Sequence, residues 1–177
     1  TYPIHSHAEF ELNFVANARG VKRIVGDSME IIGDYDLILI ASKDLEHVWE
    51  QNICESKDIR EITIQFSDDL FFSNFIDKNQ FESIRIMLEK AQRGLSFPMA
   101  AILKVYQLLD QLSLQHNGFY AVINFLSILH ELSLFTDESK VLSSSSYAKM
   151  DTYSDSLRLQ KIQKYINENY KEEIRLP

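Results

Sequence analysis

Residues 9–15 read EFELNFV, and the alternation in this stretch sets the kind of fold the chain can adopt. Phe10, Leu12 and Phe14 fall on one side of an extended backbone, while Glu9, Glu11 and Asn13 fall on the other. That period of two marks a strand with one face in a core. Working outward, 17–20 (NARG) supplies turn residues and 21–25 (VKRIV) is a β-branched run. Gly26-Asp27 and Gly33-Asp34 bracket a short strand over 28–32. Residues 36–41 (DLILIA) are continuously apolar, as expected of a strand covered on both faces. After a polar loop, His47-Val48-Trp49 restarts a strand, and 59–66 (IREITIQF) alternates again. Short strands at this spacing, with turns between them and no helical segment, predict an antiparallel barrel or sandwich over residues 1–70.

Beyond residue 79 the period changes. Phe81, Ile84, Met87, Leu88 and Ala91 recur at helical spacing up to Gly94. Pro98 opens a second helix striped by Ile102, Val105, Tyr106, Leu109 and Leu112, which Asn117-Gly118 ends. Residues 119–135 are apolar almost all round, so something must bury them: the sheet, neighbouring helices or a second subunit. The fold class predicted is α+β, an N-terminal antiparallel β-barrel followed by a helical hairpin or bundle and a C-terminal helix. The helical region spans 71–136, a serine-rich linker 137–155, and a last amphipathic segment 156–177.

Charge divides the chain in the same place. Residues 1–70 hold 6 basic and 14 acidic side chains, while the rest hold 12 of each, so the first zone carries the whole net charge of −8. A pI near 5.1 disfavours general nucleic-acid binding, which needs clustered Lys and Arg. No run of apolar residues is long enough to cross a bilayer, and no membrane partner is expected. One cysteine, Cys54, closes no internal disulfide and suits a reducing, cytoplasmic setting. No βαβ unit, glycine-rich phosphate loop or GxSxG elbow is present, and no catalytic residue is assigned.

Chemistry-bearing residues concentrate in the first zone. His5 and His7 share a side of an extended chain, Glu11 has the same parity, and His47 comes from a later strand. Trp49, the only tryptophan, shares parity with His47 and offers a stacking surface for a sugar or an aromatic molecule. A carboxylate inside a barrel requires a partner, and a ligand, a histidine or Arg23 would serve Glu11. The expected ligand-binding set is His7, Glu11, Arg23, His47 and Trp49, with a small organic effector, a sugar among the candidates, and no cofactor. The alternative is a divalent metal on His5, His7, Glu11 and His47, since three imidazoles and a carboxylate suit iron, manganese, nickel or zinc. The neutral helical zone, with Tyr106, Leu109 and Leu112 on its apolar surface, is the expected homodimer interface, because two acidic barrels would repel.

His5-Ser6-His7-x3-Glu11 with Gly20 downstream resembles the first cupin motif, and 36–40 (DLILI) followed by His47 is similar to the second. The second departs from the usual pattern at Tyr35, Ser42 and Asp44. The order HxHxEFEL, VGD, DLILI, HVW, a helical hairpin, a polar linker and RLQKIQKYINENY resembles the sensor half of AraC-family transcription regulators over essentially the whole chain. The resemblance implies a cupin-like effector-binding domain that dimerises through adjacent helices. It also implies that 156–177 opens a helix-turn-helix domain through which alone DNA is contacted, and that the protein is not an enzyme. A metal-dependent cupin dioxygenase or isomerase is the alternative.

Overall fold

The computed structural model describes residues 3–70, 75–114 and 118–144. The amino-terminal half contains β1 (Phe10–Ala16), β2 (Lys22–Val25), β3 (Ser28–Ile31), β4 (Tyr35–Ile40), β5 (His47–Glu50) and β6 (Arg60–Phe66). Then follow α1 (Glu82–Ala91), β7 (Leu95–Ser96), α2 (Met99–Ser113), α3 (Gly118–Ser133) and β8 (Lys140–Val141). The fold is α+β, with every strand pairing antiparallel.

The strands form two separate sheets, in the orders β6-β1-β4-β7-β8 and β3-β2-β5, so the closed barrel expected from the sequence is not formed. Closure requires each edge strand to find a partner. Here the second sheet is built from strands of four residues, too short to carry the ladder around to the first. The nearest approach to closure is a single backbone bridge, in which His5 and His47 exchange N–H···O bonds of 3.2 and 2.9 Å. Beyond it the chain leaves β5 and crosses into β1 of the larger sheet.

The alternation in β1 sorts its side chains between two environments. Leu12, Phe14 and Ala16, with Leu37 and Leu39 from β4 and Ala41 just after it, pack against Ile84, Met87, Val105, Leu109, Phe125 and Leu129 of the helices in one apolar core. The opposite face of β4 sends Ile38 and Ile40 toward Val25, Leu45 and Leu142. Both faces of β4 are therefore covered, which is why its sequence is continuously apolar.

Gly94 makes the junction between α1 and the sheet possible. Its φ of +69° is left-handed, and a Cβ there would sit 2.8 Å from Val25 Cγ1. From that turn, β7 pairs with β4, and β8 pairs with β7. Residues 137–144, the start of the stretch read as a linker, thus contain a strand, and Leu142 and Ser143 are buried. The remainder of that stretch, 145–155, and the segment 156–177 lie outside the described residues.

Candidate functional site

Three histidines from two parts of the chain meet at the rim between the sheets. The rings of His5 and His47 lie 4.6 Å apart between centroids, those of His7 and His47 5.1 Å, and those of His5 and His7 5.9 Å. Each ring is turned by a backbone carbonyl two residues away. The Nδ1–H of His5 donates to Pro3 O at 3.0 Å, that of His7 to Glu9 O at 2.8 Å, and that of His47 to Leu45 O at 3.0 Å. A carbonyl only accepts, so these contacts place a proton on each Nδ1 and direct each Nε2 elsewhere.

Glu11 completes the group from β1. Its carboxylate is 3 % exposed, with Oε2 2.9 Å from His7 Nε2 and Oε1 3.7 Å from His47 Nε2. Gln65 Nε2, from β6, donates to the same Oε2 at 3.2 Å. His47 is 1 % exposed, and its Nε2 is buried without a hydrogen-bond partner. Burial holds the His47 imidazole below the usual histidine range, against the opposing pull of the Leu45 carbonyl and Glu11. Its Nε2 therefore presents a lone pair.

One ring nitrogen from each of His5, His7 and His47 lies within 4.8 Å of the others. The donor set fits a divalent transition metal on three counts: three imidazoles, a buried carboxylate beside them, and the orphaned Nε2 of His47 aimed into the group. His5, His7 and His47 would hold such an ion, with Glu11 as the fourth donor.

Arg23 behaves differently from the expectation that it faces a ligand. It is 2 % exposed, and its guanidinium donates to Asp36 at 2.5 Å, Glu30 at 2.6 Å and Ser96 Oγ at 3.3 Å. It joins β2 and β3 to β4 and β7, and Glu11 is met by His7 and Gln65 instead. Burial pushes the Asp36 carboxyl above its ordinary value, opposed by Arg23 and by the Trp49 indole.

Trp49 stands between two environments. Its ring is edge-on to His47 at 5.9 Å, and it also walls a cleft of about 380 Å³ with Val15, Val21, Lys57, Ile59 and Glu61. Of the five expected ligand-binding residues, only Trp49 lines this cleft. A larger groove of about 700 Å³ runs along β6 on the other side of the sheet, between Ile62, Ile64, Leu112, Val122 and Phe125.

Among the residues expected at a dimer surface, Leu109 is 1 % exposed inside the chain's own core, and Tyr106 and Leu112 are half-buried against it. The exposed apolar surface of α2 and α3 belongs instead to Leu103, Phe119, Tyr120, Val122 and Ile123. An apolar stripe on a helix fits its own sheet as well as a second subunit, and Leu109 is turned to the chain's own core.

Sequence reasoning overlooked Asn13, Thr63, Gln65 and Asp36, which face the second sheet. Asn13 Nδ2 donates to Glu61 and Thr63 at 2.9 Å each, while its buried Oδ1 has no partner. The signal was present, since Asn13 shares the parity of Glu11, and Thr63 and Gln65 alternate with Ile62 and Ile64. No protein-family model matches the chain, and no curated protein matches it.

Proposed function

We propose that the protein is the ligand-sensing and dimerisation part of an AraC-type transcription regulator of the cytoplasm, and not an enzyme. Its paired sheets would be an open, cupin-like sensor for a small organic effector. The observation that carries this is the set of polar groups buried between the sheets, beside the apolar cluster of Val25, Ile38, Ile40 and Leu45. A purely structural sandwich would fill that space with apolar side chains alone, yet Glu11, Asn13, Arg23, Asp36 and His47 are buried there as well. Trp49 links this interior to the cleft and offers a flat apolar face beside polar groups, which suits a sugar or a similar ring. The effector would act by binding one arrangement of the sheets and helices better than another, shifting a pre-existing equilibrium. The exposed apolar surface of α2 and α3 supports association of two copies, and DNA contact would belong to a C-terminal helix-turn-helix domain.

The test is a thermal-shift screen of sugars and small metabolites, read beside Trp49 fluorescence. A true effector at a hundred times its dissociation constant adds about 2.7 kcal/mol and alters the emission of the single tryptophan. Stabilisation that Trp49→Phe leaves intact would place the effector elsewhere. A library without a single stabilising compound would count against the sensor.

A second reading has its own support. The approach of His5, His7 and His47 to within 4.8 Å, with Glu11 adjoining, favours a metal-dependent cupin enzyme, a dioxygenase or isomerase. Turnover that requires the ion and is lost in Glu11→Gln would select it.

A further inference from the structure

We propose that the outer edge of β6 is a self-association surface. Two copies of the chain pair their β6 strands antiparallel about a two-fold axis at Thr63, joining their larger sheets into one. The proposal rests on the reading that two copies associate, and adds to the exposed helices a specific strand and register. It makes no use of an effector or a metal.

The four sheet edges differ. β8 has two residues and is tied to β3 through Lys140 and Glu30, β3 itself has four, and β5 is bridged by His5. β6 has seven residues and pairs with β1 on one side, while among the described residues its other side meets no strand. The unpaired N–H and C=O groups of such an edge are a template for another strand, and monomers blunt them with Lys, Pro or a bulge. Residues 61–65 (EITIQ) contain neither Lys nor Pro, and their register against β1 runs without a bulge. Glu61, Ile62, Thr63, Ile64 and Gln65 all line the groove of about 700 Å³. Successive strand residues point to opposite faces, so a groove that touches both sets opens at the edge, where a further strand would lie. Leu112, Val122 and Phe125 wall it on the helix side. Val122 also belongs to the exposed apolar surface of α3, so strand edge and helix present one continuous surface.

The occupant is a second copy because this edge is complementary to itself. Antiparallel pairing centred on Thr63 sets Thr63 opposite Thr63, Ile62 opposite Ile64 and Glu61 opposite Gln65. Apolar side chains then meet on the helix side, hydroxyls meet on the other face, and no like charges are opposed. The acidic excess of the first zone does not bear on this contact. Glu61 is the single charged residue within 61–65, and the adjoining Arg60 is held by Asp110 at 2.5 Å. The same patch serves on both chains, as a two-fold axis requires.

The experiment follows the full chain by sedimentation velocity over a range of concentrations, with Thr63→Lys and Thr63→Glu measured alone and mixed. Thr63 is exposed, so both variants keep the fold, which circular dichroism checks. Each variant alone sets like charges face to face and should weaken dimerisation about tenfold or more. An equimolar mixture sets Lys against Glu and should restore it. In the unsubstituted chain, amides within 61–65 should exchange more slowly as concentration rises, a reading that needs no variant. Dimerisation indifferent to both substitutions, no recovery on mixing, or exchange across 61–65 independent of concentration overturns the strand pairing. Leu103→Glu, on an exposed position of α2 that does not line the groove, separates the two readings. Loss of the dimer there, with none in Thr63→Lys, assigns association to the helices and overturns the strand pairing alone. A chain that stays monomeric throughout overturns the association of two copies as well.

Discussion

The two faces of the five-stranded sheet are made from alternate residues of the same strands and do opposite things. On the helix side, Leu12, Phe14, Leu37 and Leu39 sit in a continuous apolar core. One residue along, Glu11, Asn13 and Asp36 face the second sheet and are equally buried. The first face is stabilised by area removed from water, which needs no orientation. The second depends on partners: Arg23 for Asp36, His7 and Gln65 for Glu11, and Glu61 and Thr63 for Asn13. Burial on one side is thus a source of stability, and on the other a constraint that a ligand or ion can exploit.

This contrast can be broken most directly with truncations on adjacent positions. Phe14→Ala should cost about 3–5 kcal/mol, because it opens a cavity in the helix-facing core. Asn13→Leu, its neighbour on the other face, should change stability by no more than about 1 kcal/mol, because an unpartnered Oδ1 is removed along with two hydrogen bonds to exposed partners. Urea unfolding of both variants measures the difference. Equal losses would mean that both faces are held by packing alone.

The ion cluster sharpens the comparison. Arg23→Met strands Asp36 in a buried site and should cost about 3 kcal/mol or more. Adding Asp36→Leu to the same chain should recover most of that loss, since an apolar pair of similar volume replaces the charges. If the double variant is as unstable as the single one, Arg23 contributes through contacts other than its charge.

The smallest effect is at the edge of that cluster. Lys140 first, and Arg23 as well, hold the half-buried Glu30 carboxyl below its ordinary value, against the cost of burial. A carboxyl whose pKa is lower in the folded state adds stability above its ordinary pKa of about 4.3, and that stability is lost as pH falls through the lowered value. Glu30→Gln should remove this part of the acid dependence, a change of a few tenths to about 1 kcal/mol because the group meets solvent. Unfolding curves at a series of acidic pH values would reveal it, and a slope unchanged in Glu30→Gln would show that other carboxyls carry it.

Much of this molecule was legible in local pattern. The period of two in β1 and β6, the apolar run of β4, the glycine turns and the period change after residue 79 were all readable, because strand and helix periods depend on backbone geometry alone. The shared side of His5, His7 and Glu11 was readable from parity, whereas the approach of His47 depends on how the second sheet is placed against the first. Whether the strands close into a ring was not, because closure depends on strand tilt and on what the edges meet. The two-residue strands β7 and β8 are too short to carry a period, and only the sheet they extend defines them. Arg23 could be foreseen as a needed partner, but its choice of Asp36 over Glu11 came from the register of β2 against β5 and from the stacking of the sheets. Leu109 and Leu103 belong to one helix and are both apolar; only packing against the sheet decided that Leu109 is core and Leu103 is surface. Composition and period establish what each segment can bury. Which partner it buries against is a long-range choice, made among competing surfaces when the sheets and helices come together.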